Sequence, residues 1–226
     1  MRVKNKEIIA LKRKLRENKI RGLALDIDET LSFTIGGLVD GLSKQFGNPE
    51  NLTVEEIVKK HKHTDKIPYW QSKECYELID KILTDEKIQK DLPLIKNANS
   101  LTNKVNEVIP IVSYITIRPR IIFEATKYWL KKNNFPKAPT ILKPKNISRR
   151  MGNKWKAKVL EYLYPEVLGI VDDNPNLVKN LSKSYKGTIF LYDHTETERK
   201  DIKVVPCRDW NQVLIEVKKQ FIGDHD

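Results

Sequence analysis

Two aspartates two residues apart, Asp26 and Asp28, close the short apolar run Leu23-Ala24-Leu25 and lead into Glu29-Thr30-Leu31. Side chains alternate faces in extended backbone, so Asp26 and Asp28 project from one side. Two acids on one face at the end of a buried strand repel each other. A divalent cation, which takes carboxylate oxygens, would let them coexist. So would a division of labour between a nucleophile and a general acid/base. The plainer alternative is a helix N-cap at Asp28 or Thr30.

Further residues of the same kind end later apolar runs. Thr116 closes Val108–Ile115 and precedes Arg118-Pro119, and Asp172-Asp173 close Val167–Val171. Lys154 and Lys156 open an amphipathic segment between them. A nucleophile, a second carboxylate, a hydroxyl, a cation and another acidic pair suit phosphoryl transfer through an aspartyl-phosphate. Asp26 would attack phosphorus, while Asp28 would protonate the leaving oxygen and then take a proton from water. Thr116 would hydrogen-bond a phosphoryl oxygen, and Lys156 would neutralise charge in the transition state. A divalent cation would let the anions approach each other, with Asp26, Asp28, Asp172 and Asp173 as its candidate ligands. Thr30, Arg118 and Lys154 are the candidate substrate-binding residues.

These residues need a frame. Ile8, Leu11 and Leu15 at helical spacing predict an amphipathic basic helix over 5–19. Strands are expected at 23–27, 108–116, 140–142, 167–171 and 188–192, with an edge strand near 204–206. Helices follow Pro119, run from Lys154 to Tyr164, begin at Leu177 and cover 209–221. Strands alternating with helices predict an α/β fold, a doubly wound parallel sheet of Rossmann-like type, whose ligands bind beyond the carboxyl ends of the strands. Residues 34–90 contain no expected strand beyond a small hairpin around Gly36-Gly37. With helices expected over 53–62 and 72–91, this stretch reads as a helical insertion. Tyr69 and Trp70 either line a pocket or plug a small core.

The chain resembles the haloacid dehalogenase-like hydrolase superfamily. Asp26-Ile27-Asp28-Glu29-Thr30 matches its first motif, Thr116 its second, Lys156 (with Lys154 as competitor) its third, and Asp172-Asp173 its acidic fourth. The resemblance spans roughly residues 22–195. It implies a magnesium-dependent phosphatase rather than a dehalogenase, because both aspartates of the first motif are present. It also implies that Asp173 is the first choice of metal ligand in the last pair. The expected domains are a core of residues 1–33 and 91–226 and a helical cap of the C1 type over 34–90. A receiver-type signalling domain, the rival from another class, places its acidic pair before a mid-chain phosphoacceptor and lacks such an insertion. A catalytically dead scaffold would not keep every motif residue.

Charge narrows the partners. Of the net +12, residues 1–21 supply nine Lys/Arg against two Glu, and residues 143–158 supply seven Lys/Arg and no acid. These segments are either solvated faces or contacts for an anionic partner. A phosphorylated metabolite or nucleotide is the expected substrate. The alternative is a nucleic-acid end phosphatase or nucleic-acid-binding protein that uses both segments. No apolar run reaches the ~18 residues needed to span a bilayer, so no membrane partner is expected. Two cysteines, Cys75 and Cys207, exclude a disulfide framework and fit a reducing cytoplasm. His61 and His63 have no third ligand nearby in sequence and read as surface histidines.

Overall fold

The computed structural model describes residues 5–62 and 64–223. His63, one half of the HxH pair, lies outside them, as do residues 1–4 of the basic N-terminal segment. Six strands form one parallel sheet in the order β3-β2-β1-β4-β5-β6. They are β1 (Gly22–Leu25), β2 (Ile111–Thr116), β3 (Thr140–Leu142), β4 (Val167–Asp172), β5 (Thr188–Tyr192) and β6 (Val204–Cys207). The chain fills the sheet outward from β1 to β3, then returns to the other side of β1 at β4. Strand order therefore reverses at the β1–β4 seam, where open sheets of this type bind ligands. Residues 22–25 are all buried, as expected of a strand covered on both faces.

One face packs on α1 (Lys6–Glu17), α8 (Gly152–Leu163) and α9 (Pro175–Asn180). Ile8, Leu11 and Leu15 meet Ala24, Leu160, Leu163 and Ile170 there. The other face packs on α6 (Ala98–Val108), α7 (Phe123–Lys132) and α10 (Trp210–Phe221). There Leu23, Leu25 and Tyr114 meet Val105, Trp129, Trp210 and Val213. α6 has no counterpart in the sequence reading. Its polar first turns and its uncapped Asn97, in the left-handed region at φ 61°, hide the pattern.

The insertion consists of α2 (Thr34–Phe46), α3 (Val54–His61), a 3-10 turn (Thr64–Lys66), α4 (Lys73–Thr84) and α5 (Glu86–Gln89). It has its own apolar cluster, in which Leu42, Ile57, Trp70 and Ile79 pack together. Trp70 plugs that cluster and donates from Nε1 to the Gly47 carbonyl at 3.1 Å. The chain leaves and re-enters the core side by side: Phe33 donates to Pro93 O, and Ile95 donates to Leu31 O.

The expected hairpin at Gly36-Gly37 is wrong, because these residues lie inside helix α2. Glycine costs a helix about 1 kcal/mol relative to alanine, and here close neighbours occupy the space a Cβ would take. A Cβ on Gly37 would approach Leu92 Cδ2 to 2.9 Å, and one on Gly41 would approach Ile82 Cδ1 to 2.7 Å. The glycines form a smooth stripe on which α4 and the returning chain lie close.

Candidate active site

Asp26 directly follows β1, and its N–H donates to Val171 O at 2.9 Å, extending the β1–β4 ladder by one residue. Asp172 ends β4 on the other side of the seam. Asp26, Asp172 and Asp173 thereby bring carboxylate oxygens within 4.8 Å of one another. Lys156, in the second turn of α8, reaches into this group. Its ammonium lies 2.7 Å from Asp172 Oδ2 and 2.9 Å from Asp26 Oδ1, with the side chain 1% exposed. Asp172 is fixed from its other oxygen by the Asn174 N–H at 2.9 Å.

Lys154 is exposed and stands apart, so the ammonium brought to the acids belongs to Lys156. Helical spacing carries this distinction. Lys156 lies three and four residues before the buried Val159 and Leu160, on the inward stripe of α8.

Three carboxylates face one ammonium in buried surroundings. Burial pushes the Asp26 carboxyl up to about 7, against the pull of Lys156 and with the repulsion of Asp172 and Asp28 added. Asp173 is pushed well above the usual carboxylate range by burial and then by Asp172 and Asp26. Burial alone would discharge Lys156, but Asp172 and Asp26 outweigh it and hold the ammonium charged. Asp26 Oδ1 is fully buried against the Lys156 ammonium. Three converging carboxylates around one ammonium leave negative charge unmatched, and such an oxygen donor set fits a hard divalent cation, so these residues suit Mg²⁺.

Asp28 is not part of that cluster. Its carboxylate takes three hydrogen bonds from Arg118: Nη2 to Oδ1 at 2.7 Å, and Nε to Oδ1 and Oδ2 at 3.0 and 3.1 Å. A fourth comes from the Thr34 hydroxyl at 2.6 Å. Asp28, named with the other three as a candidate metal ligand, here directs its carboxylate to Arg118. It is not an N-cap, since α2 starts at Thr34 with no side-chain cap. Burial would raise its pKa, but Arg118 outweighs burial and holds it below the usual carboxylate range. Arg118, a candidate substrate-binding residue, is buried and anchors Asp28, and its Nη1 also donates to Thr126 Oγ1 at 3.3 Å.

Thr116 is fully buried at the end of β2, where its hydroxyl accepts from the Arg118 N–H at 3.2 Å. Thr30 is also buried and donates to Asp173 Oδ1 at 3.3 Å. The loop from Asp26 to Thr34 is a tight coil in which Leu31 and Ser32 both donate to Ile27 O at 2.9 Å. Trp210 Nε1 ties it to the core through Thr30 O at 2.8 Å. Glu29 sits at φ 55° and accepts from the Ile35 N–H; burial pushes its carboxyl up to about 8, with Asp28 adding to the rise. Thr34, Trp210 and Glu29 had no sequence signal: each acts through a partner fixed only by the folded loop.

Comparison of the sequence with protein-family models and with curated proteins gives no match. Solved structures do resemble the fold. One is a haloacid dehalogenase-like family hydrolase from Xanthomonas campestris, 11% identical over 90% of this chain and 96% of that one, with TM-score 0.44. The chain is similar in structure to haloacid dehalogenase-like hydrolases. Another is a phosphatase of this type from Thermococcus onnurineus, 11% identical over 92% of this chain and 100% of that one, with TM-score 0.38. A third is a family hydrolase from Deinococcus radiodurans R1 with bound phosphate and sodium, 9% identical over 88% of each chain, with TM-score 0.38. At this distance the chemistry of the chain is carried by its own side chains.

Proposed function

We propose that the chain is a metal-dependent phosphomonoester phosphatase of the haloacid dehalogenase-like type, acting on a small phosphorylated metabolite or nucleotide. The observation that carries this reading is the meeting of Asp26, Asp172 and Asp173 around the Lys156 ammonium. Acids from opposite halves of the chain have no structural need to converge in a buried seam.

Asp26 supplies the nucleophilic carboxylate; it forms the P–O bond as the ester oxygen leaves with the bonding electrons. Lys156 holds Asp26 and Asp172 in register and offsets the charge gathered on the phosphoryl oxygens. The Thr116 hydroxyl would donate to those oxygens. Asp28 is the acid/base candidate: it gives a proton to the leaving oxygen and takes one from the water that cleaves the acyl phosphate. To do so it must release a bond to Arg118 or Thr34. Thr34 is the first residue of α2, so the reach of Asp28 is tied to the insertion. Mg²⁺, held by Asp26, Asp172 and Asp173, would supply charge neutralisation that lets a carboxylate approach a phosphate.

Phosphate release from a generic phosphomonoester, with and without Mg²⁺, tests the reading. Wild-type turnover that vanishes in Asp26→Asn supports it; Asp26→Asn that keeps most of the activity defeats it.

A further inference from the structure

We propose that the rim around the mouth of this site docks on an anionic lipid surface. The rim is made of the start of α1, the loop 117–122 and the segment 143–154. Three observations bring these together. α1 leads into β1 and α8 leads into β4, so both helices begin at the carboxyl edge of the sheet. Glu7 in the first turn of α1 pairs with Arg120 at 2.6 Å. Gly152 at the start of α8 lies so close to Ile117 that a Cβ would meet its Cγ2 at 2.8 Å. The 117–122 loop is thus held between the two basic segments, and Lys143 N–H donates to Thr116 O beside it at 3.1 Å.

Two kinds of side chain are presented there. Lys6, Lys145, Arg149, Arg150 and Lys154 are exposed, and among the described residues none of them pairs with an acid. The same three segments carry three exposed aliphatic side chains: Ile121 at 63%, Ile9 at 43% and Met151 at 43%. Free cations interleaved with protruding aliphatics match a negatively charged headgroup layer, in which the cations meet phosphates and the aliphatics enter the acyl boundary. A single-stranded nucleic acid would instead call for aromatic planes on which bases stack. The most exposed aromatics among the described residues, Tyr76 and Tyr128, belong to α4 and α7 and not to these three segments. No helix among the described residues is long and apolar enough to cross a membrane. The contact proposed is peripheral, and it departs from the sequence-based expectation of no membrane partner.

The test is co-sedimentation of the full chain with phosphatidylcholine vesicles, with and without phosphatidylserine. It does not depend on the phosphatase reading, since Asp26→Asn should bind as wild type does. Binding should require phosphatidylserine and be lost near ~0.5 M NaCl, where screening is short-ranged. The pairs Ile121→Ser with Met151→Ser, and Arg149→Glu with Arg150→Glu, should each weaken binding about tenfold or more. The same charge change at the opposite edge of the sheet, Lys183→Glu with Lys186→Glu just before β5, should leave it unchanged. The proposal is overturned if neither vesicle is bound, or if the opposite-edge variant loses as much as the rim variants. It is equally overturned if an oligonucleotide binds with steep salt dependence while the aliphatic variant binds vesicles as wild type does.

Discussion

Arg118 grips Asp28 with two nitrogens, 90 residues away in sequence, the shortest contact being 2.7 Å. The guanidinium is 2% exposed, so the pair is desolvated on the arginine side and partly open on the aspartate side. Arg118→Ala leaves a partly buried carboxylate uncompensated, which should cost about 2 kcal/mol, less than for a fully buried pair because Asp28 is partly open to solvent. Arg118→Lys keeps the charge but not the planar two-nitrogen grip, so it should recover stability more than kcat. Thermal denaturation and steady-state kinetics of both variants check this. If Arg118→Lys restored both quantities fully, charge alone would be sufficient at this position.

A second ion pair fixes the N-terminal helix to the core and has a defined pH window. Burial would raise the Glu166 carboxyl, but the hydrogen bond from Arg16 at 2.8 Å, together with Lys12, holds it below its ordinary 4.5. A carboxyl whose folded pKa is depressed stabilises fully above its unfolded value and loses that contribution as pH falls through its folded value. Glu166→Gln should therefore destabilise by about 1 kcal/mol at neutral pH, discounted because Arg16 is largely exposed. The difference from wild type should narrow as pH falls below 4.5. Denaturant midpoints at pH 7 and pH 3.5 measure it.

The glycines make opposite forecasts. A Cβ at Gly169 would meet the backbone carbonyl oxygen of Thr188 at 2.0 Å, and backbone in a central strand cannot retreat. Gly169→Ala should cost about 3 kcal/mol, the upper range for overpacking, or abolish soluble protein. At Gly41 the obstacle is the flexible end of Ile82. There the gain in helix propensity offsets the shift, and Gly41→Ala should stay within about 1 kcal/mol of wild type. Equal losses at both positions would mean that α4 is as immovable as the sheet.

The sheet was legible because strands buried on both faces read as continuous apolar runs, and β1, β2, β4 and β5 are such runs. The convergence of Asp26, Lys156 and Asp172 was legible because each ends a strand or opens a helix at one edge. What the sequence hid was long-range. Nothing near Arg118 in the sequence marks Asp28 as its partner. Gly36-Gly37 looks like a turn until Leu92 and Ile82 are seen pressing against the helix. Polar α6, with no capping side chain, offers neither periodicity nor a start signal strong enough to read.

The acid cluster makes the most demanding forecast, because it links binding to stability without any assay of turnover. Asp26, Asp172 and Asp173 repel one another, and Lys156 neutralises only part of their charge. A divalent cation that binds the folded chain alone should raise its stability by about 2.7 kcal/mol at a hundredfold excess over Kd. Mg²⁺ should therefore raise the melting temperature of wild type, and EDTA should reverse the rise. Asp172→Asn and Asp173→Asn each remove one ligand charge, so the Mg²⁺-dependent rise should shrink or vanish in both. Asp28→Asn, whose carboxylate is taken by Arg118, should keep it. Turnover should follow a different pattern: Asp26→Asn should lose about a thousandfold or more in kcat as the nucleophile is removed. A melting temperature indifferent to Mg²⁺ in wild type, or an equal loss of the rise in Asp28→Asn, would show that the cluster holds no cation and that the acids serve another purpose.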